Sequence, residues 1–197
     1  MQVIVHRRNT IDELRSTPAR YGVEVDIRSY GDHLIVHHNP FTDAVDFEEW
    51  IKFYDHKILI LNIKEEGIEE HVKDIMISHG IKDFFFLDLS FPFLVKMVNS
   101  GEKRVALRFS EYESIETVLT FAHKADWVWI DTFSRLPLDP QSYALLRKHD
   151  FKLCLVCPER WNRPDDIRRY KDYLSDKQMY LDAVMATPEF VDLWESN

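Results

Sequence analysis

The 197-residue chain is poor in the features that mark several protein classes. Its two cysteines are too few for a disulfide framework, which favours a reducing compartment. Five glycines and eight prolines exclude a collagen-like or low-complexity chain. No apolar run approaches the ~18 residues of a membrane span, and the amino-terminal segment lacks the basic start and apolar stretch of a secretory signal. The sequence therefore predicts a cytoplasmic protein without a membrane span.

Basic side chains are fewer than acidic ones. The chain has 25 Lys and Arg and 34 Asp and Glu, which gives a formal net charge of −9. Neutralising nucleic-acid phosphates needs an excess of basic residues, so this balance argues against a nucleic-acid-binding protein. Hydrophobic residues make up 45% and charged residues 30%, which is typical of a globular chain. The length suits a single domain over residues 1–197, and the oligomeric state is left open.

Short apolar runs rich in β-branched and aromatic residues recur along the chain. They are nearly continuous, which is typical of strands covered on both faces. They predict eight strands, at residues 2–6, 23–28, 57–64, 83–90, 104–110, 126–133, 151–157 and 181–187. After the second strand, a turn at residues 30–32 leads into a further extended run at 33–37, which predicts a short hairpin-like excursion.

Helical patterns fill the intervals between the predicted strands. They cover residues 10–21, 47–54, 67–80, 91–101, 114–124, 140–149, 165–177 and 188–196. Strands that alternate with helices predict parallel βαβ units. An open doubly wound sheet and a closed (β/α)8 barrel both fit, and the count of eight favours the barrel. Because the chain is near the ~200-residue lower limit of that fold, we expect a minimal (β/α)8 TIM barrel.

Polar residues gather at the carboxyl ends of the predicted strands, where barrel active sites lie. Glu24 and Asp26 alternate on the second strand and therefore project to the same face. Two carboxylates that share a site need a cation or a proton between them, and oxygen ligands suit Mg²⁺ or Ca²⁺. A solvated strand face is the other interpretation of this alternation.

Other side chains that can take part in catalysis or binding lie at the ends of the neighbouring segments. His6 and Arg7 end the first strand, His37 and His38 follow the excursion, and Lys64 ends the third strand. Histidines can serve as general acid and base, while Arg and Lys bind phosphate oxygens. Together with the two carboxylates, these groups predict metal-assisted attack on a phosphoryl centre.

The order of these groups resembles that of the glycerophosphodiester phosphodiesterase family, within the wider group of phosphatidylinositol-specific phospholipase C-like barrels. The motifs that carry the resemblance are His6-Arg7 with Asn9-Thr10, Glu24-Val25-Asp26, Gly31-Asp32 leading to His38-Asn39-Pro40, and Asn62-Ile63-Lys64. They cover the first 64 residues. The rest of the chain matches as a strand–helix rhythm, together with a similar last strand and Thr-Pro.

The resemblance implies a phosphoric diester hydrolase that acts on a small glycerophosphodiester-like substrate, in lipid metabolism. On it, His6 and His38 are the catalytic acid/base pair, with His37 as the alternative to His38. It also implies that Arg7 and Lys64 contact the substrate phosphate.

The resemblance further implies a divalent cation, Mg²⁺ or Ca²⁺, held by Glu24, Asp26 and Asn62. The family has a glutamate where this chain has Asn62. An amide oxygen can coordinate a hard cation but brings no charge, so we expect a weak metal site. Three other carboxylates are candidates to replace the lost charge, namely Glu65, Asp88 and Asp131.

The chain departs from the family pattern at further positions. Asn39 replaces an aspartate after the second histidine, and Arg8 replaces a glycine. The subdomain that typical members insert after that histidine is missing, which implies an open site and a larger or unusual substrate. The losses at Asn62 and Asn39 leave a second possibility, a catalytically degenerate barrel that binds a phosphorylated ligand or a partner protein.

The two cysteines, Cys154 and Cys157, have the spacing of a redox or metal motif. They lie in a predicted strand, however, and residues three apart on a strand point to opposite faces. The sequence therefore favours two buried structural thiols over a redox pair.

Overall fold

The computed structural model describes residues 1–195, which contain nine strands, eight α-helices and two short 3-10 helices. The strands are β1 (Gln2–Val5), β2 (Gly22–Tyr30), β3 (His33–Val36), β4 (Leu59–Ile63), β5 (Phe84–Leu87), β6 (Ala106–Phe109), β7 (Trp127–Ile130), β8 (Lys152–Val156) and β9 (Ala183–Ala186). The helices are α1 (Ile11–Ser16), α2 (Phe47–Ile51), α3 (Glu69–Ser78), α4 (Phe91–Asn99), α5 (Ile115–Leu119), α6 (Pro140–Lys148), α7 (Asp166–Asp176) and α8 (Val191–Glu195). The last predicted helix extends to Ser196, which lies outside the described residues.

The chain divides into two compact units, Val5–Ser100 and Met1–Ile4 with Gly101–Asn197. In the first unit β4 lies between β2 and β5 with parallel ladders, and β3 pairs antiparallel with β2. In the second the strand order is β1-β9-β8-β7-β6, and the ladders from β6 to β9 are parallel. The predicted (β/α)8 barrel is confirmed, and the single domain over residues 1–197 stays a prediction.

Within residues 1–195, no helix combines the length and the apolar character needed to cross a membrane. The cytoplasmic location stays a prediction.

The predicted hairpin-like excursion is confirmed as the β2–β3 pair. Strand β2 runs to Tyr30, and Gly31 with φ +65° turns the chain into β3. The ladder extends from Tyr30↔His33 to Ile27↔Val36. Between β3 and β4 the described chain forms one short helix, α2, capped by the Asp46 side chain. The barrel is therefore minimal at the point where typical family members carry an inserted subdomain.

The apolar runs become strands that are buried along their length. Every residue of β4 and of β5 is buried, and Phe84, Phe85 and Phe86 are among the largest fully buried side chains. Full burial of one such side chain stabilises the fold by roughly 1.5–3 kcal/mol. These strands form the rigid support for the polar side chains at their carboxyl ends.

The chain after β1 is fixed by the start of α1. Thr10 Oγ1 accepts a hydrogen bond from the Glu13 backbone N–H at 3.2 Å, and Glu13 Oε2 accepts one from the Thr10 N–H at 2.9 Å. These two hydrogen bonds form a capping box. It anchors the segment that follows His6 and Arg7.

Both cysteines are free and buried, as predicted. Cys154 lies within β8, and Cys157 follows directly after its last residue. Burial is the largest cause that raises the pKa of each thiol well above its usual range.

We expect Cys154 and Cys157 to react slowly with a thiol reagent in the native protein, because the thiolate is the reactive form and burial disfavours it. The measurement is the time course of Ellman's reagent with native protein and with protein in denaturant. Rapid reaction of both thiols at equal rates in the two conditions would contradict this expectation.

Candidate active site

The three residues predicted to hold a metal lie together, Glu24 and Asp26 within β2 and Asn62 near the carboxyl end of β4. Glu24 and Asp26 are fully buried, and Asn62 is 6% exposed. The parallel register places Asp26 opposite Asn62. The Asn62 Nδ2 group donates a hydrogen bond to Glu24 Oε1 at 2.7 Å. Strand alternation and register therefore bring these three side chains together, as the sequence predicts.

The Glu24 carboxyl has an unusual acidity because of its surroundings. Burial, followed by the negative charge of Asp26, raises its pKa from 4.5 to about 7. Hydrogen bonds from Asn62 and from the Arg7 backbone, and the charge of Lys64, act in the opposite direction. Burial and the charge of Asp26 thus favour the protonated form of this carboxyl, so a bound cation would compete with a proton.

His6 and Arg7 lie at the end of β1 and face the same carboxylates. His6 is nearly buried, and its Nε2 lies 3.9 Å from Glu24 Oε2. Arg7 has φ +52°, an uncommon conformation for a residue with a side chain. In this conformation its N–H donates to Glu24 Oε2 at 2.8 Å, and its Nε lies 3.4 Å from Asp26 Oδ2. Such uncommon backbone conformations cluster at functional sites.

Asn9 holds Asp26 through a reciprocal pair of hydrogen bonds. Its Nδ2 donates to Asp26 Oδ2 at 2.8 Å, and its Oδ1 accepts from the Asp26 N–H at 3.0 Å. Asn9 was not among the predicted catalytic, phosphate-binding or metal-binding residues. Its place in the Asn-Thr pair after His6-Arg7 was the signal that could have found it.

Arg8, the bulky residue in place of a glycine, is held by its backbone. Its N–H donates to the Glu24 carbonyl at 2.8 Å, and its carbonyl accepts from Trp50 Nε1 at 2.9 Å. Its Nε donates to the Arg7 carbonyl at 2.9 Å. The segment therefore accommodates an arginine side chain while keeping contact with β2.

Lys64 joins the cluster to the end of β5. Its Nζ lies 3.3 Å from Asp26 Oδ1 and 3.4 Å from Asp88 Oδ2. Asp88 has φ +57° and follows the last residue of β5. Of the three candidates for the lost charge, Asp88 is thus linked to the predicted metal ligands through one ammonium group.

The other two candidates for the lost charge have different partners. Glu65 Oε1 accepts from the Ser29 N–H at 2.9 Å, and Glu65 Oε2 lies 3.9 Å from Arg28 Nη1. Asp131 belongs to the other compact unit, where it pairs with Arg108 and accepts from Trp161 Nε1. Glu65 and Asp131 therefore pair with groups other than the predicted metal ligands.

The two adjacent histidines follow β3 and are both half-buried. His38 Nδ1 lies 3.1 Å from Asn39 Oδ1. Because a carbonyl oxygen only accepts, Nδ1 would be the donor in this contact, and the neutral ring would then carry its lone pair on Nε2. His37 Nδ1 lies 3.1 Å from the Asn39 N–H nitrogen. The choice of His38 over His37 stays a prediction.

Two oxygen atoms of the predicted metal set lack hydrogen-bond partners. Asp26 Oδ1 and Asn62 Oδ1 are buried, and neither makes a hydrogen bond in the described structure, although Asp26 Oδ1 is ion-paired with Lys64 Nζ at 3.3 Å. Buried oxygens beside Glu24 suit a hard cation, which prefers oxygen ligands. Within residues 1–195, no group of three or more His, Cys, Asp or Glu is placed to hold a metal. The fit therefore depends on the amide of Asn62 as the third ligand.

Comparison with known proteins places the fold. No protein-family model matches the sequence, and no curated protein matches it. A protein of Agrobacterium tumefaciens assigned as a glycerophosphoryl diester phosphodiesterase matches with a TM-score of 0.71 at 13% identity, over 98% of this chain and 96% of that one. A glycerophosphodiester phosphodiesterase of the same bacterium gives 0.67 at 12%, over 98% and 99%. The chain has the fold of the glycerophosphodiester phosphodiesterases.

A third structure extends the comparison to another organism. A glycerophosphoryl diester phosphodiesterase of Parabacteroides distasonis matches with a TM-score of 0.64 at 12% identity, over 98% of this chain and 85% of that one. The resemblance predicted from the motifs is thereby confirmed at the level of the fold. In a glycerophosphodiester phosphodiesterase fold, the carboxyl ends of β1, β2, β4 and β5 belong to the face on which barrel active sites lie. The roles of the individual residues stay predictions.

Proposed function

We propose that the chain is a phosphodiesterase that hydrolyses a glycerophosphodiester-like substrate at the cluster of Glu24 and Asp26. One observation carries the proposal. Two fully buried carboxylates meet a guanidinium, an ammonium and an imidazole, those of Arg7, Lys64 and His6, at the carboxyl ends of parallel strands. Such a combination suits a substrate that is itself an anion and reacts through proton transfer.

The carboxylates and the amide of this cluster suit a divalent cation, Mg²⁺ or Ca²⁺. Glu24, Asp26 and Asn62 would hold it, since Asp26 and Asn62 each carry a buried oxygen that makes no hydrogen bond. When bound, the cation would neutralise negative charge on the phosphoryl group. Asn62 brings no charge to the site, so we propose that the affinity is weak.

The cationic side chains attract and orient the phosphate. The Arg7 side chain is 40% exposed and the Lys64 side chain 14% exposed, so both border the cluster while pairing with Asp26. An incoming phosphodiester offers oxygens that can share these donors. This binding would hold the phosphorus next to His6.

The two histidines divide the proton transfers. One histidine accepts the proton of the attacking hydroxyl or water as the new oxygen–phosphorus bond forms. The other donates a proton to the leaving alcohol as its phosphorus–oxygen bond breaks, so the products are an alcohol and a phosphomonoester or cyclic phosphodiester. We assign these roles to His6 and His38. The Asn39 contact at Nδ1 supports this assignment, since a neutral ring that donates there would keep its lone pair on Nε2.

The test is an activity screen with glycerophosphodiesters and a chromogenic phosphodiester, in Mg²⁺, in Ca²⁺ and in chelator. We expect turnover that depends on the metal and is lost in the matched variants Glu24→Gln and Asp26→Asn, which keep size and remove charge. Absence of turnover with every substrate and metal would contradict the proposed function. So would equal rates in wild type and both variants.

A further inference from the structure

Arg28 is the third polar residue in the alternation that begins with Glu24 and Asp26 on β2. Its side chain is 16% exposed, and its guanidinium contacts two backbone carbonyls. Arg28 Nε donates to the His38 carbonyl at 2.8 Å, and Arg28 Nη1 donates to the Lys64 carbonyl at 2.9 Å. One planar side chain thus joins the turn after β3 to the end of β4.

These two carbonyls lie just beyond the regular sheet. The β2–β3 ladder ends at the pair Ile27↔Val36, and the β2–β4 ladder ends at Ile27↔Ile63. The Lys64 N–H still donates to the Ile27 carbonyl at 3.0 Å, so the end of β4 is anchored on β2. The carbonyl of His38, two residues past Val36, is held by the Arg28 contact.

The Arg28 guanidinium is itself held in place by an acidic neighbour. Glu65 Oε2 lies 3.9 Å from Arg28 Nη1, while Glu65 Oε1 accepts from the Ser29 N–H at 2.9 Å. A guanidinium offers several donors in a rigid plane, whereas an ammonium is a point charge on a flexible stem. The geometry with two acceptors on different segments therefore needs arginine rather than lysine.

We propose that Arg28 is a positioning residue that fixes the His38 turn against the end of β4. This inference rests on the proposed function. Arg28 acts through its two carbonyl contacts and does not itself touch the substrate. Arg28 thereby determines the position of the His38 imidazole relative to the Lys64 ammonium, so that both groups can contact the same phosphate.

The kinetic test compares Arg28→Gln and Arg28→Lys with wild type on a chromogenic phosphodiester. A catalytic group displaced by about 1 Å can lose about 10²-fold in rate, so Arg28→Gln should lower kcat by about that factor with little change in KM. Arg28→Lys should restore part of the loss by binding one carbonyl. Arg168→Gln serves as a control, since that arginine is 91% exposed.

A double variant separates positioning from general stabilisation. In the His38→Ala background, Arg28→Gln should lower kcat no further, because the imidazole it positions is gone. An equal loss in both backgrounds would overturn the proposal, as would a kcat loss explained by a lower fraction of folded protein in thermal unfolding.

A second readout does not depend on turnover. The His38 ring resonance, assigned by its loss in His38→Ala, should shift when inorganic phosphate is added to wild type. In Arg28→Gln the same titration should need about tenfold or more phosphate, in line with the effects of groups that orient ligands. Titrations that coincide in the two proteins would overturn the positioning role. Absence of turnover with a normal phosphate response would overturn the proposed function alone.

Discussion

Replacing His6 or His38 by alanine should lower kcat for phosphodiester cleavage by about 10²–10⁴-fold, the usual contribution of general acid–base catalysis. His6 lies nearly buried beside Glu24, and His38 carries a contact with Asn39 that leaves Nε2 available. Each would serve one half of the proton transfer, so the loss of either should be large. The measurement is steady-state kinetics of each variant at saturating substrate and metal.

Two other histidines provide the controls. His37→Ala should retain activity, because the proton-transfer role is assigned to the adjacent His38 and not to His37. His33→Ala should do the same, since that ring is 46% exposed on β3. If His38→Ala matches wild type while His37→Ala is inactive, the proton-transfer residue after β3 is His37 and not His38. If neither His6 nor His38 matters, the acid/base mechanism is wrong.

Replacing Asn62 by glutamate should tighten divalent-cation binding by about tenfold or more, because it restores a negative charge among the ligands. The same change adds a third carboxylate beside Glu24 and Asp26, which repel it when no cation is present. The metal-free variant should therefore unfold at a lower temperature than wild type, and Mg²⁺ or Ca²⁺ should restore its stability. Calorimetry and thermal unfolding with and without chelator measure the two effects.

Asn62→Gln is the matched control, since it has the length of glutamate without its charge. It should neither tighten binding nor make stability depend on metal. Equal metal affinity in wild type, Asn62→Gln and Asn62→Glu would contradict a metal site at this position. If wild type has no turnover and Asn62→Glu gains it, the chain is a degenerate binder that lost its chemistry here.

The strands could be predicted because burial on both faces leaves a clear sequence pattern. The ends of the strands were less predictable. The predicted strand at 83–90 continues through polar residues, but β5 ends at Leu87 because Asp88 adopts φ +57°. Likewise, the helical pattern at 114–124 becomes a helix that ends at Leu119. Local backbone conformation, which periodicity does not report, decides these boundaries.

The convergence of Glu24 and Asp26 could be predicted from strand alternation, and the addition of Asn62 from the family resemblance. The contacts that hold them could not. The contact of Asn9 with Asp26 joins residues 17 apart in the chain, and the contact of Arg28 with the His38 carbonyl joins residues 10 apart. Such contacts depend on the register between strands and on how loops return to them, which the sequence of one segment does not specify.

The direct test of the central claim is a ³¹P NMR time course of a glycerophosphodiester with wild-type protein and Mg²⁺ or Ca²⁺. We expect loss of the diester signal and growth of a phosphomonoester or cyclic phosphodiester signal. This conversion should stop in chelator and in the variant Asp26→Asn. A diester signal that remains unchanged with either metal, or one that disappears equally fast in Asp26→Asn, would contradict metal-assisted hydrolysis at this cluster.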